Sequence, residues 1–165
     1  MQRRNLIGAG LLSLSLAGCG FKLRASQVFA FQTIAVTPES GSAIATDLAR
    51  YLADLVVPLA PTPGKPAPEV IFDVLQELRD KIIVGVNASG QVREYQLRIR
   101  IKFRLRTPQG RELIAPTELT QQRDVSYSET AALAKEAEEV LLYRDMQSDL
   151  VQQLLRRLAA IKQIA

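Results

Sequence analysis

A chain of 165 residues that is 47% hydrophobic and 23% charged has the makings of one ordinary globular domain. It contains no histidine, no tryptophan and a single cysteine, which removes the commonest metal ligand and general base and excludes an intrachain disulfide. The formal net charge of +4 is modest as a total; what matters is where the cations are concentrated.

Arg3 and Arg4 open the chain as a basic segment, and Leu6 to Leu16 follows as an apolar run broken by glycines and serines. It is too short to span a bilayer and fits a signal-peptide core. The run ends in Leu16-Ala17-Gly18-Cys19, which resembles the bacterial lipobox. That resemblance implies that residues 1–18 are a lipoprotein signal peptide and that Cys19 becomes a lipidated N-terminus carrying an S-diacylglycerol and an N-acyl chain. The competing reading is a plain signal peptide with a coincidental cysteine. Gly20 stands where an inner-membrane retention signal would place Asp, so the expected destination is the outer membrane. Two or more acyl chains anchor stably, which would hold the mature chain on the periplasmic face. Removing residues 1–18 takes away two arginines and no acid, so most of the charge balance is unaffected. Residues 19–31 read as the acylated tether, in which Lys22 and Arg24 either meet anionic headgroups or are simply solvated. Residues 32–165 read as a single periplasmic domain.

Thr33 to Thr37 is rich in β-branched residues and reads as a first strand stopped by Pro38. Ser40 or Ser42 can cap the helix that follows. In that helix Ile44, Leu48, Leu52 and Leu55 form an amphipathic stripe, and its end is expected near Val57, before Pro58. Pro58, Pro61, Pro63, Gly64, Pro66 and Pro68 make an extended connector. Val70, Phe72 and Val74 begin a second strand whose pattern continues toward Val86, where Asn87-Ala88-Ser89-Gly90 supplies turn chemistry.

The next strand has the plainest pattern in the chain. Tyr95, Leu97, Ile99, Ile101, Phe103 and Leu105 alternate with Gln96, Arg98, Arg100, Lys102, Arg104 and Arg106, the period-two signature of a strand with one apolar and one wet face. Its cations recur about every 7 Å at ~3.3 Å per residue. Pro108-Gln109-Gly110 turns the chain into a further strand over about Arg111 to Tyr127. There Leu113, Ala115, Thr117 and Leu119 are expected on one face, and Glu112, Glu118, Thr120, Gln122 and Asp124 on the other. The last segment, about Thr130 to Ile161, lacks Gly and Pro. Val140, Tyr143, Leu150, Leu154, Leu158 and Ile161 give it a helical stripe, widened by Leu141, Leu142, Met146, Val151 and Leu155. Its acids lie near the start and Arg156, Arg157 and Lys162 near the end, which suits the helix dipole.

The order strand-helix-strand-strand-strand-helix predicts an α+β two-layer sandwich. Both helices pack on one face of a four-stranded mixed sheet, the first two strands run parallel, and residues 70–127 form an antiparallel meander. The sheet face carrying the row of cations is then left uncovered by the chain itself.

No catalytic constellation is present: no histidine can activate the serines, there is no phosphate-binding glycine loop, and the acids are scattered. The expectation is therefore a protein that is not an enzyme and has no cofactor beyond the lipid on Cys19. Two readings of the basic strand stand side by side. Asp73 and Glu77 on the preceding strand, with Glu112, Glu118 and Asp124 on the next, would neutralise it by cross-strand pairs of roughly 0.2–1 kcal/mol each. Alternatively Arg98, Arg100 and Lys102, with Arg104 and Arg106, face an anionic partner. Nucleic acid is out of place for an exported lipoprotein, whereas the phosphates of lipopolysaccharide suit Arg and Lys. Lys135, in the first turns of the last helix, opposes the dipole. It either helps hold an anion there or pairs with Glu138 or Glu139.

Gly18-Cys19-Gly20-Phe21-Lys22-Leu23-Arg24, Gly90-Gln91 with Glu94-Tyr95-Gln96-Leu97, and Ala132-Leu133-Ala134-Lys135-Glu136 with Glu138-Glu139 together resemble the LptE (RlpB) family of lipopolysaccharide-assembly lipoproteins. The resemblance implies two helices on a mixed four-stranded sheet and a plug inside the LptD β-barrel of the outer membrane. It also implies lipopolysaccharide binding that assists insertion of the lipid. Lys135 matches a basic position tied to lipopolysaccharide. The family can carry a second basic residue at the hairpin tip before Gly90; here Ala88 and Ser89 occupy it, and Arg93 stands close by as a substitute. The alternative reading is a structural lipoprotein, such as a pilotin, that scaffolds another envelope complex.

Overall fold

The structure, a computed structural model, describes residues 27–38 and 40–164. The predicted signal peptide, Cys19, Lys22 and Arg24 lie outside the described residues. Among the described residues four strands and two α-helices follow the predicted order: β1 (Ile34–Thr37), α1 (Ala43–Leu52), β2 (Val70–Val86), β3 (Val92–Arg106), β4 (Glu112–Ser126) and α2 (Ala132–Ala159). The strands form one sheet in the order β1-β2-β3-β4. β1 runs parallel to β2, and β2, β3 and β4 form the antiparallel meander.

The apolar face of β3 behaves as its alternation predicts. Leu97, Ile99, Ile101, Phe103 and Leu105 are fully buried in one core with Ile44, Leu48 and Leu52 of α1 and Met146, Leu150, Leu154 and Leu158 of α2. Phe72 stacks on Phe103 across the β2–β3 pair, ring centroids 5.3 Å apart. Burial of this kind, at ~25 cal/mol per Å² of apolar surface, is the main source of stability.

Several local features differ from the sequence pattern. α1 ends at Leu52 rather than near Val57, because Ala53 adopts a positive φ of 45° and opens a 3-10 turn over Ala53–Leu55. Val57 then donates its N–H to the carbonyl of Ile34 at 2.9 Å, so this segment covers part of the β1 edge.

In β2, the register slips between Val74 and Gln76. A bulge adds one residue and turns the side chains from Gln76 to Ile83, where the register slips again, to the opposite face. Glu77, Arg79, Lys81 and Ile83 therefore share the helix side with Ile101, Ile99, Leu97 and Tyr95, their partners in register, while Leu78, Asp80 and Ile82 lie with the basic face. Glu77, expected beside the cations, instead accepts hydrogen bonds from Ser42 Oγ at 2.6 Å and Ile44 N at 3.3 Å at the start of α1. β4 slips as well, around Ala115 and Pro116, so that Ile114 stands opposite Leu105 and Thr117 opposite Phe103.

α2 is buried from Met146 onward, but Val140 and Leu141, predicted to belong to its apolar stripe, are 63% and 57% exposed. The reason is the position of α1. Ala43 and Asp47 of α1 receive the side-chain amide of Gln147, so among the described residues the turns of α2 before it have no neighbouring helix to pack against. No described helix is long and apolar enough to cross a membrane.

Candidate functional site at the distal end of the sheet

The sheet has two ends. β1 enters at one, where Gln32 donates its N–H to Glu69 at 2.8 Å and Ile34 stands opposite Val70. The β2–β3 turn lies at the other, about 33 Å further along β3 at ~3.3 Å per residue between Leu105 and Tyr95. There the first turns of α2 cross the helix side of the sheet and enclose a cleft of about 120 Å³, lined by Lys81, Tyr95, Tyr127, Lys135 and Glu139 among others.

Each wall has a local cause. Tyr95 and Tyr127 meet edge to face with centroids 5.3 Å apart, and the Tyr127 N–H is bonded to the carbonyl of Arg93 at 2.7 Å, which fixes the end of β4 against β3. Lys81 reaches the cleft because of the β2 bulge. Its Nζ lies 2.5 Å from Glu139 Oε2 and 4.4 Å from the Tyr95 ring centroid. The hydrogen bond to Glu139 raises the Lys81 pKa, so the ammonium stays charged. Lys135 donates to Ser126 Oγ at 3.0 Å and to Glu138 Oε2 at 2.8 Å, an i,i+3 pair with the lysine side chain 23% exposed. One turn further along α2, Tyr143 ties the helix to β2 by donating its hydroxyl to the carbonyl of Asp80 at 2.9 Å. Burial, reinforced by Glu139, raises the pKa of that phenol.

The residues singled out in the sequence separate into two places. Lys135 is in the cleft, and Arg93 is an exposed residue at the start of β3, where the register slips between Glu94 and Val92 and its carbonyl accepts the Tyr127 N–H. Arg98, Arg100 and Lys102 are on the opposite sheet face. Arg100 Nη2 is 2.9 Å and Arg98 Nε 3.5 Å from Asp80 Oδ2. Arg104 and Arg106 both reach Asp73 Oδ2 at 2.7 Å. Lys102 is exposed and stands in register with Glu118, as Arg106 does with Glu112. Burial pushes the Asp73 carboxyl up, but hydrogen bonds from Arg106, Arg104 and Thr37 outweigh it and hold its pKa below the ordinary 3.8. Four of the five cations are thus paired with carboxylates of β2, and Asp80, which supplies two of those contacts, reaches that face only through the bulge.

Lys81, Tyr95 and Tyr127 were not among the candidate site residues. Tyr95, three residues into β3, and Tyr127, just past the end of β4, look like ordinary core-facing aromatics. Lys81 had no signal, since unbroken alternation from Val70 puts it on the other face. Among the described residues no group of three or more acids, cysteines or histidines is arranged to hold a metal.

Comparison with known proteins agrees with this architecture. The family model described as LptE, lipopolysaccharide-assembly, matches residues 28–158. The LPS-assembly lipoprotein LptE of Pectobacterium atrosepticum is 32% identical over 158 residues, covering 92% of this chain and 83% of that protein. The solution structure of a lipoprotein B from Nitrosomonas europaea is 34% identical with a TM-score of 0.70, covering 86% of this chain and 91% of that one. The crystal structure of rare lipoprotein B from Shewanella oneidensis shares the fold, with a TM-score of 0.61 at 18% identity over 78% of this chain and 92% of that one. With the family model spanning nearly the whole described domain, the chain belongs to the LptE family of lipopolysaccharide-assembly lipoproteins, which are not enzymes.

Proposed function

We propose that this chain is the plug subunit of the LptD outer-membrane barrel, binding lipopolysaccharide at the distal cleft around Lys135 and assisting its insertion into the outer leaflet. In this reading the lipid on Cys19 holds the domain at the periplasmic face of the outer membrane. The observation that carries the reading is the seating of Lys135. It is a half-buried ammonium beside two tyrosines, at the end of the sheet remote from the N-terminal strand. Arg93 supplies a second cation close to the turn, where Ala88 and Ser89 offer none. Exposed apolar residues near this end support a partner surface: Leu133, Val140 and Leu141 on α2, and Ile83, Val84 and Val86 on β2. The matched charges on the opposite face argue for structural rather than ligand roles for Arg98, Arg100 and Lys102.

The test has two parts. The mature lipoprotein, pulled down from detergent-solubilised outer membranes, brings the LptD barrel with it. Lys135→Asp lowers binding to lipopolysaccharide vesicles while the melting temperature stays at the wild-type value. Unchanged binding removes Lys135 from the site, and absence of the barrel removes the plug assignment.

A further inference from the structure

The cleft holds two ammonium groups, and each is already occupied by a carboxylate of α2. Lys81 is held by Glu139 at 2.5 Å and Lys135 by Glu138 at 2.8 Å. Both lysines line the same cavity of about 120 Å³. That is the volume of about four water molecules at ~30 Å³ each, enough for a tetrahedral phosphate once a glutamate tip withdraws.

The element carrying those carboxylates is lightly held. α2 has no fully buried side chain before Met146. Its first turns touch the sheet through polar links, Lys81 to Glu139, Lys135 to Ser126 and Tyr143 to the Asp80 carbonyl, and through the partly buried Leu142 and Tyr143. It starts without a side-chain cap, with Ala131 in that position. A segment held by such contacts lies at the low end of local stability. The Lys81 and Glu139 side chains are both partly exposed, at 38% and 23%, so water can replace the contact at modest cost. A phosphate brings three strong acceptor oxygens and up to two charges where the glutamate brings one, and lysine binds it as a compact point charge.

We infer that Lys81 is a second phosphate ligand of this cleft and that Glu139 occupies it in the free protein, so that a phosphorylated lipid headgroup binds by displacing Glu139. The inference rests on the reading of the cleft as a lipid site and adds to it a residue and a competition. Binding therefore exchanges one anion for another at Lys81 and loosens the first turns of α2 from β2.

The experiment measures binding of the mature lipoprotein to vesicles containing bisphosphorylated lipid A, with dephosphorylated lipid A as the control. Glu139→Gln tightens binding about threefold, the scale of an exposed ion pair. Lys81→Met weakens it about tenfold, the scale of a charge-assisted hydrogen bond, and in that background Glu139→Gln gains nothing. On dephosphorylated lipid A wild type, both single variants and the double variant bind alike. If Lys81→Met melts early, Glu139→Gln alone decides: tightening supports the inference, and unchanged or weaker binding overturns it. Effects of equal size on dephosphorylated lipid A also overturn it. So does complete displacement of the vesicles by an equal concentration of inorganic phosphate, which would make free phosphate the ligand. If only Lys135→Asp matters, the role of Lys81 falls and the lipid site stands. If Lys135→Asp is silent as well, the lipid site falls with it.

Discussion

Glu77 Oε2 accepts a hydrogen bond from Ser42 Oγ at 2.6 Å, tying the middle of β2 to the residue just before α1. Ser42 in turn accepts the Ala45 N–H at 3.0 Å as the helix N-cap, so a strand carboxylate stands behind the cap and faces the positive end of the helix dipole. Ser42→Ala is expected to cost about 1 kcal/mol in urea unfolding. Glu77→Ala is expected to be destabilising too, and the double variant less than additively so. Strict additivity would show that the two residues act independently.

Asp73 is the anchor of the basic face at its β1 end, 8% exposed and bound by Arg104, Arg106 and Thr37. Replacing it with Asn leaves two guanidinium groups without a counter-charge, and the expected loss is about 3 kcal/mol. The pH dependence has a definite sign. The folded-state pKa is depressed below 3.8, so the carboxylate stabilises fully above that value and loses its contribution as pH falls through the lower folded pKa. The stability gap between wild type and Asp73→Asn should therefore be constant at neutral pH and narrow at low pH. A gap that widens on acidification would contradict the assignment.

The same face shows where sequence and structure part. β3 was legible throughout, because its alternation is unbroken and a residue's parity gives its face. β2 was legible only as far as Val74. A bulge at one residue has no composition signal in a run where Leu75, Leu78, Ile82 and Ile83 occupy both parities. That slip decides three things at once: Glu77 becomes a helix cap, Asp80 joins the cations, and Lys81 enters the cleft. Lys135 could be singled out from its place in the last helix. Its neighbours Tyr95, Tyr127 and Lys81 come from three strands, and only pairing register brings them together. Val140 and Leu141 were assigned to the core because helical periodicity says which face is apolar, not how far along the helix a cover extends.

The charge matching on the basic face predicts that its cations are structural. Arg98→Ala and Arg100→Ala should each cost at most about 1 kcal/mol, since the pairs with Asp80 are partly solvated. Lys102→Ala, at an exposed position, should be neutral within about 0.5 kcal/mol. None should change lipopolysaccharide binding by more than about twofold, well under the 1.4 kcal/mol that a tenfold effect represents. A loss comparable to that of Lys135→Asp, measured on the same vesicles, would bring this face back as a binding surface.

The uncovered first half of α2 gives the sharpest separation of stability from partnership. Met146 is fully buried in the shared core, and Met146→Ala should cost about 2–5 kcal/mol through the cavity it leaves. Leu133, at 83% exposure, continues the same apolar helix surface past the start of α1 together with Val140 and Leu141. Serine at these three mostly exposed positions removes little packing within the chain, so each should melt within about 0.5 kcal/mol of wild type. If this surface seats the domain in the barrel, the triple variant loses the barrel in pull-downs while keeping wild-type unfolding and wild-type lipopolysaccharide binding. The reverse outcome, barrel retained and the domain destabilised, would mean that these residues pack within the protein itself. The two effects are separable because α1 ends its cover at Gln147 and nothing in the described chain replaces it.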